Sequence, residues 1–156
     1  MRSQRATLTE LMEPTRRIVE SIVWCTVATV GPTGSPRTRL MHPVWNWDGE
    51  VPIALVTART TPLKMRHLAA QPEVSCCYWD PSHHTAAIDA VATWLDDEAR
   101  SRAWEAIAAT PPPVGFDPAM IWPDGPGSED CGILRFDAFR IVTSPVGEQP
   151  LLWSAR

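Results

Sequence analysis

The feature that most constrains the fold is a series of short β-type segments separated by turn residues. Runs of β-branched and aromatic residues with alternating polarity are typical of strands, and clusters of Gly, Pro, Asn and Asp between them mark turns. Sixteen prolines among 156 residues suit this arrangement, because proline is excluded from the interior of a sheet. The predicted strands are Val23–Val30, Arg37–Trp45, Val51–Thr57, Val74–Trp79, Thr85–Trp94 and Gly132–Thr143.

Tight turns at Gly31–Pro36 and Asn46–Glu50 join the first three strands, and Asp48-Gly49 is a hairpin signal. Neighbouring strands joined in this way run antiparallel. We therefore predict a mainly β fold, a six-stranded antiparallel barrel, closed or split, with peripheral helices. One domain is expected to span residues 1–156, with the barrel at 23–144.

Three segments show helical patterns. The N-terminal region 1–22 carries apolar residues at helical spacing over Thr7–Ile22, within which Pro14 either breaks the helix or restarts it. Further helices are predicted near 62–70 and at 97–109, where Asp96 is the expected N-cap. Residues 114–130, rich in Pro, Gly and Asp, are predicted to form a long loop.

Composition excludes several classes of protein. A net charge of −4 and the absence of any basic run argue against a nucleic-acid partner. No apolar run reaches membrane-spanning length and the N-terminus lacks a signal core, so we expect no membrane association and a cytoplasmic location. The four cysteines form no C-x-x-C pair, which favours buried free thiols over a metal site. Cys76 and Cys77 are expected to point to opposite faces of a strand.

The stretch from Thr57 to Leu68 is the strongest local candidate for a ligand site. Thr61 is the predicted N-cap of a helix, Pro62 suits the first helical position, and Lys64 falls in the first turn. The free backbone N–H groups and positive dipole end of such a helix, beside Arg59, suit a phosphate monoester. Alternatively, the stretch is an ordinary capped surface helix with solvated cations.

Four motifs occur in a recognisable order between Val23 and Val142. They are the strand Gly34–Leu40 with its arginines, the segment Thr57–Ser75, the strand end Tyr78–Pro81, and Trp104 with Pro111–Pro118 and Ile121-Trp122. With these motifs the sequence resembles the pyridoxamine 5′-phosphate oxidase-like family of FMN-binding split barrels, and especially its small general-stress-type members.

The resemblance implies a homodimer with two FMN molecules at the interface between its barrels. It also implies cofactor-binding roles for residues that match the family positions: Arg39 and Lys64 on the phosphate, with Thr57 and Thr61 beside it. Arg37 lies two residues from Arg39 on the same strand face and is the alternative phosphate ligand. Thr57 and Lys64 are one residue further apart than in the oxidases proper, so Arg59 is a candidate substitute for a family contact.

The function implied by the resemblance is an FMN-dependent oxidoreductase that transfers a hydride to or from an unidentified small molecule. The C-terminus, Leu151–Arg156, lacks the tryptophan-and-arginine motif with which the oxidases bind vitamin B6, so that substrate is not expected. Three alternatives stay open: a deazaflavin-dependent reductase using the same cleft, a flavin-binding stress protein without turnover, and a barrel that has lost its cofactor. No catalytic residue is identified, since flavin chemistry needs no nucleophile–base triad.

Other residues carry weaker expectations. His42 is placed near the edge of the flavin ring, whereas His67 and the pair His83-His84 are interpreted as packing or surface residues. For Trp79 and Trp122, packing in the core is favoured over lining a pocket.

Overall fold

The computed structural model describes residues 3–156, which contain one nine-stranded sheet and three α-helices. In chain order the elements are β1 (Gln4–Arg5), α1 (Leu8–Ile22), β2 (Cys25–Val30), β3 (Pro36–Met41), β4 (Val44–Asn46), β5 (Ile53–Arg59), α2 (Pro62–Ala70), β6 (Glu73–Trp79), β7 (Thr85–Trp94), α3 (Asp97–Ala109), β8 (Cys131–Ser144) and β9 (Leu151–Ser154).

Antiparallel pairing runs through the sheet in the order β4-β5-β8-β7-β6-β2-β3. The outermost strands of this row, β3 and β4, are consecutive in the chain, so His42 and Pro43 link the two ends of the sheet. Beyond the segment that pairs with β5, β8 pairs with β9, on which β1 lies parallel. The predicted mainly β split barrel is confirmed.

The number of strands differs from the prediction for two physical reasons. The predicted strand Arg37–Trp45 is interrupted at His42-Pro43, because proline has no N–H with which to continue a ladder. The prediction also missed β1 and β9, which have only two and four residues and show no strong alternation. Both lie outside the continuous row of the barrel.

Helix α1 continues through Pro14 without a break. Thr7 is its N-cap: the Thr7 hydroxyl accepts a hydrogen bond from the Glu10 backbone, and the Glu10 carboxylate accepts one from the Thr7 backbone. Leu11 and Ile18, on either side of the proline, are both buried in the barrel core. Packing on both sides of Pro14 holds the helix together despite the missing backbone donor.

Alternation along β6 decides which of its residues enter the core. Cys76 and Tyr78 point inward and are fully buried, while Cys77 and Trp79 point outward. The core placement expected for Trp79 is therefore wrong: its side chain is 56% exposed. All four cysteines are free, as predicted, but Cys77 is exposed instead of buried.

Within residues 3–156, no helix is both long enough and apolar enough to cross a bilayer. Over the same residues, no cluster of three or more His, Cys, Asp or Glu side chains is arranged to hold a metal ion.

Candidate functional site

A cavity of about 660 Å³ lies where the ends of β3 and β5 meet the N-terminus of α2 and the loop after α3. Five of the six residues predicted to bind a cofactor line it: Arg39, Thr57, Arg59, Thr61 and Lys64. The remaining lining residues are Trp24, Leu40, Met41, His42, Ala58, Phe116, Met120, Ile121 and Trp122. The set contains three basic side chains, Arg39, Arg59 and Lys64, and no acidic side chain.

Lys64 is presented to the cavity by the start of α2. Thr61 is the N-cap, with its hydroxyl accepting a 3.4 Å hydrogen bond from the Lys64 backbone, and Pro62 occupies the first turn, as predicted. The Lys64 side chain is only 7% exposed, and its Nζ donates to the Arg59 carbonyl oxygen at 2.8 Å. Burial, and secondarily the nearby Arg39 charge, lowers the pKa of Lys64. An anion bound in the cavity would raise this pKa, because a nearby opposite charge favours the ammonium form.

Arg39 is held by a buried polar network. Its Nη1 donates to the Thr29 hydroxyl at 2.7 Å, and that hydroxyl lies 3.1 Å from Nδ1 of His67. Burial and the charges of nearby arginines lower the pKa of His67, which keeps its imidazole neutral. Since Thr29 Oγ1 accepts from Arg39, its own proton is available to Nδ1 of a neutral His67. The network supports the guanidinium from behind without neutralising it.

Neither Arg39 nor Lys64 forms an ion pair with a carboxylate anywhere in the described residues. Arg59 differs, because it forms an ion pair with Asp130. The second oxygen of the Asp130 carboxylate accepts a 2.8 Å hydrogen bond from Nε1 of Trp122, and the Arg59 guanidinium lies 5.6 Å from the centre of the Trp122 ring. Bonds from Trp122 and Arg59 lower the pKa of Asp130. The cavity thus has two unpaired positive charges.

Arg37 is the one predicted site residue outside the cavity. In the pairing of β3 with β2, Arg37 lies opposite Thr29 and Arg39 opposite Val27, so the two arginines share a sheet face as expected. Arg37 is nevertheless exposed near the start of the strand, where its side chain donates to the Pro36 carbonyl. Of these two arginines, only Arg39 lines the cavity.

The cavity also has an aromatic wall. The imidazole of His42 lies between Trp24 and Phe116, with ring-centre distances of 5.2 and 4.6 Å. Its Nε2 donates to the Val114 carbonyl oxygen at 2.7 Å, and burial lowers its pKa, so the ring is neutral near pH 7. The sequence predicted that His42 lies near the edge of the flavin ring, but it did not assign Trp24 or Phe116 to the site. The available signal was that Phe116 is a large apolar residue in the polar loop 114–130, and that Trp24 is a large apolar residue near the start of a strand.

An exposed apolar surface adjoins the cavity. Trp24 and Leu40, which line the cavity, are 55% and 74% exposed. Across the sheet, Leu40 pairs with Thr26, which in turn pairs with Cys77, so this surface continues over β2 to the outward side chains of β6, including Trp79. A group of large exposed apolar side chains beside a cavity is typical of a ligand or protein contact.

The fold and the cavity define a class of protein, a split barrel whose cavity places Arg39, Lys64 and the N-terminus of α2 beside an aromatic wall. The sequence profile of the pyridoxamine 5′-phosphate oxidase family matches residues 11–141. The chain belongs to that family, which confirms the resemblance seen in its motifs. No curated protein sequence matches the chain significantly.

Solved structures share the fold at low sequence identity. A Clostridium acetobutylicum protein related to general stress protein 26 of Bacillus subtilis superposes with a TM-score of 0.75 at 16% identity, covering 94% of this chain and 95% of that one. An FMN-binding, oxidase-related protein from Nostoc punctiforme gives 0.61 at 17% identity, covering 94% and 87%. A protein named F420 reductase gives 0.53 at 20% identity, covering 81% and 94%.

Proposed function

We propose that this chain binds FMN in the described cavity and acts as an FMN-dependent oxidoreductase on a small molecule other than vitamin B6. The observation that carries the proposal is the pair of unneutralised cations, Arg39 and Lys64, beside a capped helix N-terminus in a cavity with an aromatic wall. Membership of a flavin-binding family supports the same cofactor.

The residues present fit the phosphate of FMN. A phosphate monoester carries close to two negative charges at neutral pH, which two unpaired cations would balance. Arg39 and Lys64 would supply charge-assisted bonds, and the Thr57 and Thr61 hydroxyls line the same cavity. The N-terminus of α2 adds a favourable dipole.

The aromatic wall fits the flat ring of the cofactor. Trp24, His42 and Phe116 form a contiguous set of mutually tilted rings, and the neutral His42 introduces no charge there. These side chains would orient the ring and exclude water from it. When bound, FMN supplies the hydride chemistry.

A homodimer is part of the proposal. The exposed apolar surface of Trp24, Leu40, Cys77 and Trp79 adjoins the cavity, so a second copy that covers it would also close the cavity against solvent. A cytoplasmic location is proposed as well, in keeping with the four free thiols.

The substrate proposal draws on the position of the C-terminal strand. Strand β9 pairs with Arg140–Thr143 of β8, whereas β5, which leads to the cavity, pairs with Cys131–Asp137. None of the residues that line the cavity comes from β9. Within one copy of the chain, the C-terminal segment therefore contributes no residue to the cavity lining, which supports a substrate other than vitamin B6.

A deazaflavin is the second candidate cofactor, supported by the fold shared with the F420 reductase. The corner formed by Arg39, Lys64 and the N-terminus of α2, called the anion-binding corner from here on, suits the phosphate group that both cofactors contain. The aromatic wall suits the flat ring of either cofactor. A balance of two free positive charges matches a terminal phosphate monoester best, which favours FMN.

The visible spectrum of the purified protein, with mass spectrometry of any released cofactor, tests the proposal. We expect a yellow protein that releases FMN, or a colourless one that takes up FMN on titration. Anaerobic addition of a reduced nicotinamide should then bleach the bound flavin. Bound FMN that no reduced nicotinamide bleaches would support a binding protein without turnover. A protein that takes up neither FMN nor deazaflavin would refute cofactor binding.

A further inference from the structure

We propose that Asp130 determines the specificity of the anion-binding corner by withholding Arg59 from it. Resting on the proposed function, the inference is that Asp130 limits the cavity to two free positive charges. The cavity then favours a single phosphate group over ligands with longer anionic tails. Asp130 and Arg59 also both contact Trp122, and these contacts fix its ring in the cavity wall.

The first support is the proximity of Arg59 to the anion-binding corner. Arg59 lines the cavity, and its own carbonyl oxygen accepts the 2.8 Å hydrogen bond from Nζ of Lys64. A guanidinium released at this position lies on a flexible side chain one backbone group away from the Lys64 ammonium. Without Asp130, a third cation would be available to an anion there.

The second support is that one carboxylate engages two partners. One Asp130 oxygen pairs with Arg59 and the other accepts from Trp122 Nε1 at 2.8 Å. The position of Asp130 is fixed in turn by its backbone, whose carbonyl oxygen accepts from the Thr60 amide at 3.0 Å. The carboxylate is therefore anchored to the end of β5, directly beside the cation that it neutralises.

The third support is burial. Trp122 is 95% buried in spite of its place in a polar loop, and its indole N–H has Asp130 as its partner. The Arg59 guanidinium covers the same ring, as cations do on aromatic faces. Arg59 is thereby occupied by a structural contact and is kept from the ligand.

Asp130→Asn tests this directly, because an asparagine keeps an oxygen to accept from Trp122 but carries no charge to hold Arg59. We expect FMN to bind roughly three- to fivefold more tightly, which is the range for a half-exposed ion pair. The affinity for FMN should also fall more steeply as salt is added. Riboflavin, which lacks the phosphate, should bind equally to both proteins. Arg59→Gln alone should weaken FMN binding by no more than about the same three- to fivefold, because it leaves the Asp130 carboxylate unpaired beside the cavity. The double variant should return to the wild-type affinity.

Calorimetric titration with inorganic pyrophosphate and with phosphate tests the inference without a flavin. Asp130→Asn should raise the preference for pyrophosphate over phosphate, even if the wild-type protein proves not to bind FMN. FMN affinity that falls as far in Arg59→Gln as in Arg39→Gln would overturn the proposal, because Arg59 would then be a direct ligand. Unchanged anion affinity and preference in Asp130→Asn would overturn it too, as would an equal loss for FMN and riboflavin.

Discussion

Replacing Lys64 by Met separates ligand binding from folding. Lys64 is 7% exposed, and its Nζ makes a 2.8 Å bond to the Arg59 carbonyl. Methionine retains an unbranched apolar stem but removes the charge. A hydrogen bond to a charged group contributes about 1.5–3 kcal/mol, so FMN should bind about 10- to 150-fold more weakly.

The same substitution should leave the free protein stable. Removing a buried ammonium relieves the desolvation that lowers its pKa, while the Arg59 carbonyl loses one donor worth about 0.5–1.5 kcal/mol. These effects oppose each other, so we expect the free energy of unfolding to change by less than about 1 kcal/mol.

Fluorescence titration with FMN and riboflavin, alongside urea unfolding of the free protein, measures both quantities. The matched control is Arg66→Gln, which removes an exposed cation of the same helix that does not line the cavity. Riboflavin binding should be unaffected by Lys64→Met. If the folded variant keeps the wild-type affinity for FMN, or loses riboflavin to the same extent, Lys64 does not bind the phosphate.

Four further outcomes are expected. Arg39→Gln should weaken FMN binding by the same 10- to 150-fold as Lys64→Met, measured by the same titration, whereas Arg37→Gln should weaken it less than about threefold; similar losses would reverse their roles. Because the pKa of Lys64 is lowered, its ammonium loses its proton at a lower pH than that of an ordinary lysine, and FMN affinity should begin to decline at that lower pH. An affinity that stays constant until the pH at which an ordinary lysine deprotonates would contradict this. Thr61→Ala should lower the free energy of unfolding in urea by about 1 kcal/mol through loss of the N-cap, and no change would show that its 3.4 Å contact contributes nothing. Trp79→Glu should convert the proposed dimer to a monomer in light scattering at micromolar concentration, and a persistent dimer would move the interface elsewhere.

Local sequence signals predicted the elements that local physics determines. The Thr61 cap with Pro62 in the first turn, and the Asp96 cap before α3, depend only on residues within one helical turn. Strand β7 was predicted with its observed limits from the apolar residues Ile88, Val91 and Trp94, which lie between a turn and the Asp96 cap. Pro43 was a readable signal for the break between β3 and β4 that the prediction did not use.

The remaining features depend on residues far apart in the chain. Arg59 was named as a candidate ligand residue from its place in the chain alone. Its partner Asp130 lies 71 residues later, and no local sequence pattern indicates that contact. Trp79 was placed in the core on the strength of its size, whereas the two-residue period of β6 turns it outward. Trp24 enters the cavity wall only because β3 brings His42 beside it.

The affinity ratio of the unmodified protein for FMN and riboflavin tests the central claim most directly, because these ligands differ only in the phosphate. The two unpaired cations in the cavity, Arg39 on β3 and Lys64 at the start of α2, predict that FMN binds at least about tenfold more tightly, with the difference shrinking as salt is added. Equal affinities, or a difference insensitive to salt, would show that the cavity does not recognise the phosphate.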